Sequence, residues 1–187
     1  LVITQPDRPV GRKQILTSPP VKILAKKHGI AVWQPDKIKS NETVGRIKRE
    51  NPDLIIIAAY GKIIPKDIID IPRFGILNVH ASLLPLYRGA SPISGAILND
   101  DKETGATIML IDEELDHGPI ISQARVAIAP DDTAETLDRK IAAAGADLLL
   151  NTVPEWIANA IWPQEQDHAR ATYTTIITKQ DGEIKKE

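Results

Sequence analysis

The chain has 187 residues, 42% of them hydrophobic and 26% charged, with a formal net charge of −2 and no cysteine. That length suits one domain with a continuous core, and the lack of thiols excludes a disulfide framework, a thiolate nucleophile and a cysteine-ligated metal. No apolar run approaches the roughly 20 residues of a membrane-spanning helix, and the near-neutral charge argues against bulk electrostatic attachment to nucleic acid.

The chain opens at Leu1 inside an apolar run, Leu1-Val2-Ile3-Thr4, that reads as the end of a buried strand, so a preceding strand is expected to be missing. The first 30 residues carry Arg8, Arg12, Lys13, Lys22, Lys26 and Lys27 against Asp7 alone. Lys26 and Lys27 read as ordinary solvated lysines. Arg8, Arg12 and Lys13 share one loop, which Pro6, Pro9 and Gly11 favour as a turned, protruding segment, although an idle surface loop has the same composition. Ser18-Pro19 predicts a capped helix start and Gly29 its stop. A second helix is expected from Ser40 to Glu50, ended by Pro52.

The period then changes. Asp53-Leu54-Ile55-Ile56-Ile57-Ala58-Ala59 is a continuous apolar run rich in β-branched residues, the pattern of a central strand buried on both faces of a parallel sheet. Gly75-Ile76-Leu77-Asn78-Val79-His80 predicts another buried strand, with two polar side chains at its carboxyl end. Asn78 and His80 are two residues apart, so both project from one face while Val79 projects from the other. An amide NH2 can donate to a developing oxyanion, and a histidine can give or take a proton. Either residue alone would more simply satisfy loop backbone groups.

Ser91-Pro92 predicts a helix bearing Ile93, Ala96 and Ile97, and residues 104–111 a strand. Ile111 to Pro119 is an acidic turn that contains Asp116, with Gly118 free to take unusual backbone angles. His80, Asp112, Asp116 and His117 have no recognised ligand spacing, so no metal is expected. Asp132 and Glu135 are positioned to form a capping box before a helical run through Leu137, Ile141, Ala144 and Leu148. Strands alternating with helices imply an α/β layer fold with a mostly parallel central sheet flanked by helices, in which ligands bind beyond the carboxyl ends of strands. The domain is expected to span residues 1–162, with 163–187 a linker toward a further domain.

Asn78-Val79-His80-Ala81-Ser82-Leu83-Leu84-Pro85, followed by Leu115-Asp116-His117-Gly118-Pro119, resembles the signature of the 10-formyltetrahydrofolate-dependent formyltransferases. The resemblance implies a Rossmann-like domain and a catalytic trio at Asn78, His80 and Asp116. In that mechanism an amine attacks the formyl carbon, the Asn and His stabilise the oxyanion, and the Asp assists proton transfer and orients the His. It also implies a folate pocket lined by Tyr60, Gly61, Lys62 and Ile63, by Ile111 and Asp112, and by Ser82, Leu83, Leu84 and Pro85. Thr4-Gln5-Pro6-Asp7-Arg8-Pro9-Val10-Gly11-Arg12 is similar to the tRNA-facing loop of the branch that formylates methionyl-tRNA, and Leu86 to Ile93 and Ala171-Thr172-Tyr173 followed by Thr178-Lys179 also resemble that branch. Arg8, Arg12 and Lys13 are then candidate contacts to initiator methionyl-tRNA. Glycinamide ribonucleotide and amino-sugar nucleotides are the alternative amines, and a non-catalytic folate-binding remnant is the alternative to an enzyme. A monomer in the cytoplasm or an organellar matrix is what the resemblance implies. Two positions depart from the pattern: Lys13-Gln14-Ile15 stand where glycine and lysines are usual, and His117 stands where a small or hydroxyl residue is common. Arg88 either meets a phosphate or carboxylate or braces the loop after Pro85.

Overall fold

A computed structural model describes residues 1–182, so the end of the expected linker, 183–187, lies outside the described residues. The first strand, β1 (Val2–Ile3), runs parallel to β4 (Val32–Trp33). Between them a two-stranded antiparallel hairpin, β2 (Arg8–Val10) and β3 (Ile15–Thr17), stands out with every strand residue exposed. Helix α1 (Pro20–Lys27) follows it. Ser18 does not cap this helix: the residue before its first turn is Pro19, and the Ser18 hydroxyl donates instead to Asp7 Oδ2 at 2.9 Å. The same carboxylate accepts from Lys22 Nζ at 2.7 Å and from Gln34 Nε2 at 2.8 Å. Three segments are thereby tied at the root of the hairpin, and these bonds, that from Gln34 foremost, hold the Asp7 carboxyl down at about 2.

Helix α2 (Asn41–Glu50) starts where expected, with the Ser40 hydroxyl accepting from Thr43 N. It ends at Asn51, which takes the left-handed conformation that asparagine tolerates. The run after it gives β5 (Ile55–Ala58), followed by α3 (Lys66–Ile69), β6 (Ile76–His80), β7 (Arg88–Gly89) and α4 (Pro92–Leu98). Then come β8 (Glu103–Leu110), β9 (Ile120–Ala127), α5 (Ala134–Ile157) and β10 (Tyr173–Thr174). The capping box of α5 is made by Thr133 and Thr136 rather than by Asp132 and Glu135. Asp132 sits one residue too early and instead accepts from Ala129 N and Thr136 Oγ1.

The main sheet has four strands in the order β5-β6-β8-β9. The α/β architecture is the expected one, but the sheet is mixed rather than mostly parallel. Only β5 and β6 run parallel; β8 is antiparallel to both β6 and β9. For β8 and β9 the cause is local, because they are joined by a short loop, which only an antiparallel pair permits. Nor is β5 a central strand buried on both faces: it lies at the edge of this sheet, and Ile56 is 46% exposed while its neighbours Ile55 and Ile57 pack inward.

One core cluster joins Val44 and Ile47 of α2 and Ile68 of α3 to Ile76 of β6. On the other face α5 crosses the sheet at Gly145, where a Cβ would lie 3.0 Å from Val79 Cγ1 and 3.4 Å from Ala106 Cβ. Leu137 and Ile141 of the same helix complete a second cluster with Ala106. The boundary expected at residue 162 falls inside the packed body. Gln164 pairs with Ile120 through both main-chain groups at 2.8 Å, and β10 lies parallel to β7.

Candidate active site

The alternation of β6 sends Ile76 into the core on the same face from which Asn78 and His80 emerge beyond it. His80 is 6% exposed, and its Nε2 lies 2.9 Å from the carbonyl oxygen of Tyr87. A carbonyl can only accept, so Nε2 carries the proton and Nδ1 is the nitrogen left for chemistry. Nδ1 faces Asp116 Oδ1 at 3.6 Å.

Asp116 stands on the loop between β8 and β9 with φ at +47°, a left-handed conformation that is costly for a residue with a Cβ. Its Oδ2 accepts from the Gly89 N–H at 2.8 Å. Two residues on, a Cβ at Gly118 would meet the Leu110 carbonyl oxygen at 2.1 Å, so only glycine lets the loop close against the end of β8. Asp112 caps the loop from within, accepting from Glu114 N at 2.9 Å and pairing with His117 Nδ1 at 2.7 Å. The His117 ring in turn stacks on His168, with centroids 4.1 Å apart.

Asn78, His80 and Asp116 line one cavity of about 1090 Å³. One wall is residues 60–64, another is residues 111–115, and the starts of α4 and α5 with Thr174, Thr175 and Ile176 close the rest. Tyr60, Gly61, Lys62, Ile63, Ile111 and Asp112 are therefore brought together with the trio. Burial pushes the Tyr60 phenol up, so it stays a neutral hydroxyl.

Ser82, Leu83, Leu84 and Pro85 are not brought to the cavity. Ser82 is fully buried and Leu84 is 3% exposed. Thr107 Oγ1 donates to Ser82 O at 2.6 Å and accepts from Leu84 N at 3.2 Å. These residues build the turn that returns the chain to Tyr87, whose carbonyl sets the histidine tautomer. Arg8, Arg12 and Lys13 lie on or between the hairpin strands, off the cavity wall. The hairpin is nevertheless rooted beside it, because Gln5 Nε2 donates to the carbonyl of Tyr60 at 3.0 Å.

Arg88 is a brace. It is 1% exposed, donating to Gln166 Oε1 from Nε and Nη2, to His168 Nδ1 at 2.8 Å and to the Tyr173 hydroxyl at 3.3 Å. Sequence reasoning missed Gln166, Gly89 and the carbonyl of Tyr87, and it missed Asp138 and Thr174 on the cavity wall. Main-chain groups leave no compositional signal, and a polar side chain tens of residues away in sequence shows no period. Among the described residues no group of three or more His, Asp or Glu side chains is arranged to hold a metal ion, and no helix is long and apolar enough to cross a membrane.

A mixed α/β sheet with an Asn, a His and an Asp converging beyond one strand end is the architecture of a formyl transferase, and the Formyl transferase family model matches residues 1–153. The chain belongs to that family. It is 46% identical over 183 residues to the methionyl-tRNA formyltransferase of Roseiflexus sp. (strain RS-1), and 49% identical over 179 residues to that of Bacillus subtilis (strain 168). These matches cover 98% and 96% of this chain, which spans 56% of each relative's length. Among solved structures, the formyltransferase PseJ from Anoxybacillus kamchatkensis, in complex with UDP-4,6-dideoxy-4-formamido-L-AltNAc and tetrahydrofolate, superposes with a TM-score of 0.66 at 26% identity. That superposition covers 94% of this chain and 85% of the PseJ chain.

Proposed function

We propose that the chain is the catalytic part of an enzyme that moves the formyl group of 10-formyltetrahydrofolate onto the amino group of methionyl-initiator-tRNA. The observation that carries this reading is the convergence of Asn78, His80 and Asp116 on one cavity. The cavity suits a folate: it has the volume of a small-molecule site, with apolar walls from Ile57, Ile63, Met109 and Ile111 and the main chain of 60–64 and 111–115 available to the edge of a flat polar ring.

A bound 10-formyltetrahydrofolate supplies a carbonyl carbon open to an amine nucleophile. The chain supplies the rest. The Asn78 NH2 donates to a carbonyl oxygen held at the strand end and strengthens that bond as negative charge grows on the oxygen. His80, fixed through Nε2, holds a proton at Nδ1 and can give it to the folate nitrogen that departs as the formyl carbon–nitrogen bond breaks. Asp116 keeps Oδ2 on the Gly89 N–H and turns Oδ1 toward His80, so this oxygen can take a proton from an arriving ammonium or steady the imidazolium.

The choice of amine rests on the relatives, which are methionyl-tRNA formyltransferases at 46% and 49% identity over nearly the whole chain. The exposed hairpin with Arg8, Arg12 and Lys13 beside the cavity supports it. A monomer working in the cytoplasm or an organellar matrix belongs to the same reading. The test supplies the full-length protein with 10-formyltetrahydrofolate and, separately, charged initiator tRNA, glycinamide ribonucleotide and an amino-sugar nucleotide. Formylation of the tRNA alone is the expected result. Preferred formylation of either small amine overturns the choice of substrate, and folate binding without transfer to any of them overturns the assignment as an enzyme.

A further inference from the structure

The region that the family model matches ends at residue 153, yet the loop bearing Asp116 is held by a side chain beyond it. Gln166 is 5% exposed, and its Nε2 donates to the carbonyls of both Asp116, at 3.0 Å, and Gly118, at 2.7 Å. Its Oε1 accepts from Arg88 Nε at 3.2 Å and Nη2 at 2.7 Å. Both donors and both lone pairs of the amide are thereby used. The amide also has only one workable orientation. A flip would set its NH2 against the donor-only guanidinium and its oxygen against two carbonyls.

The chain next to Arg88 closes the circuit. Arg88 precedes Gly89, whose N–H donates to Asp116 Oδ2 at 2.8 Å. A ring thus leaves Asp116 by its main-chain carbonyl, passes through Gln166 and Arg88, and returns to its carboxylate. It fixes a residue whose φ of +47° would otherwise relax.

We propose that Gln166 is a positioning residue for the reaction: together with Arg88 it locks the left-handed backbone of Asp116 so that Oδ1 faces His80 Nδ1. The inference rests on the assignment of Asp116 and His80 to the reaction. Its reach follows from geometry, because displacing a reacting group by about 1 Å can cost on the order of 100-fold in rate.

Gln166→Glu is the informative variant. A carboxylate in that place still accepts from Arg88, but it cannot donate to the two carbonyls and repels them. In the full-length protein the expected result is a fall in kcat of about 10- to 100-fold with KM for both substrates unchanged. The imidazole NMR shifts of His80 should move toward those of Asp116→Asn. Thr152→Val, which removes the half-buried hydroxyl bond between α5 and Ser122 of β9 away from the cavity lining, serves as a destabilised control and should leave both readouts at their wild-type values. Wild-type kcat in Gln166→Glu overturns the proposal. So does a loss of rate that merely follows the fraction unfolded, as judged against Thr152→Val. If the wild-type protein formylates no amine, the functional reading fails on its own. The His80 shifts then decide the positioning role: movement toward those of Asp116→Asn supports it, and unchanged shifts overturn it.

Discussion

The hairpin of β2 and β3 and the loop between β8 and β9 are both short excursions at the rim of one cavity, held in opposite ways. Every strand residue of the hairpin is exposed, including Val10, Ile15 and Leu16, and its anchorage is confined to its root at Gln5 and Asp7. The loop carrying Asp116 is gripped along its length, by Gly89, by Gln166 and by the close fit of Gly118 on Leu110. Proton transfer needs side chains fixed to fractions of an ångström, whereas a surface that meets a large partner needs reach and accessible charge. The contrast separates the residues proposed for the chemistry from those proposed to choose the amine.

The largest expected effect on stability lies on the gripped side. Arg88→Leu leaves Gln166 Oε1 buried without a donor, and such an orphan costs about 1–3 kcal/mol. Urea unfolding should therefore show a loss of about 1–3 kcal/mol. A loss no greater than that of an ordinary surface substitution would mean that the ring around Asp116 is slack.

On the hairpin side the expectation reverses, with little change in stability and a change in substrate use. Arg12→Ala should cost about 1–3 kcal/mol in kcat/KM on charged tRNA if the guanidinium reads a base. It should instead lower the salt slope by about one unit if it meets a phosphate. Folate affinity should hold in both cases. Unchanged tRNA kinetics with an unchanged slope would make the hairpin an idle loop.

The smallest effect concerns the hairpin root. The Asp7 carboxyl is held near 2, below its ordinary 3.8, so its folded form is favoured by ionisation. Its contribution is complete above the unfolded value, near pH 4, and is lost as the pH falls through about 2. The wild-type melting temperature should fall across that window more steeply than that of Asp7→Asn. Parallel curves would show that the node contributes nothing.

These contrasts also mark what the sequence could disclose. The shared face of Asn78 and His80 was legible, because a period of two on a strand needs no knowledge of the partner strands. The extent of α2, from Ser40 to Glu50, was legible because helix start and stop signals are local. Ser18 misled because a hydroxyl two segments from Asp7 in the chain is within its reach in space. The capping box at α5 was misplaced by one residue because Asp and Thr are both good caps. The run at β5 disclosed a strand but not its place, since an apolar run says nothing about which elements cover it. Ser82 to Pro85 were expected at the folate wall from the motif they share with His80, but a turn that aims one carbonyl at a histidine is itself a reason for a fixed motif. Gln166 left no trace, because its role is set by contacts about 50 residues away.

The central claim is that Asn78 and His80 act on the reacting carbonyl rather than on binding. It is tested most directly by single-turnover formyl transfer from 10-formyltetrahydrofolate in Asn78→Ala and His80→Ala, with folate affinity measured on the same preparations. The account predicts a rate lower by about 100- to 1,000-fold in each variant, with folate binding retained. Near-normal turnover in either variant would contradict it for that residue, and lost folate binding at an unchanged rate constant would return both side chains to the wall of the pocket.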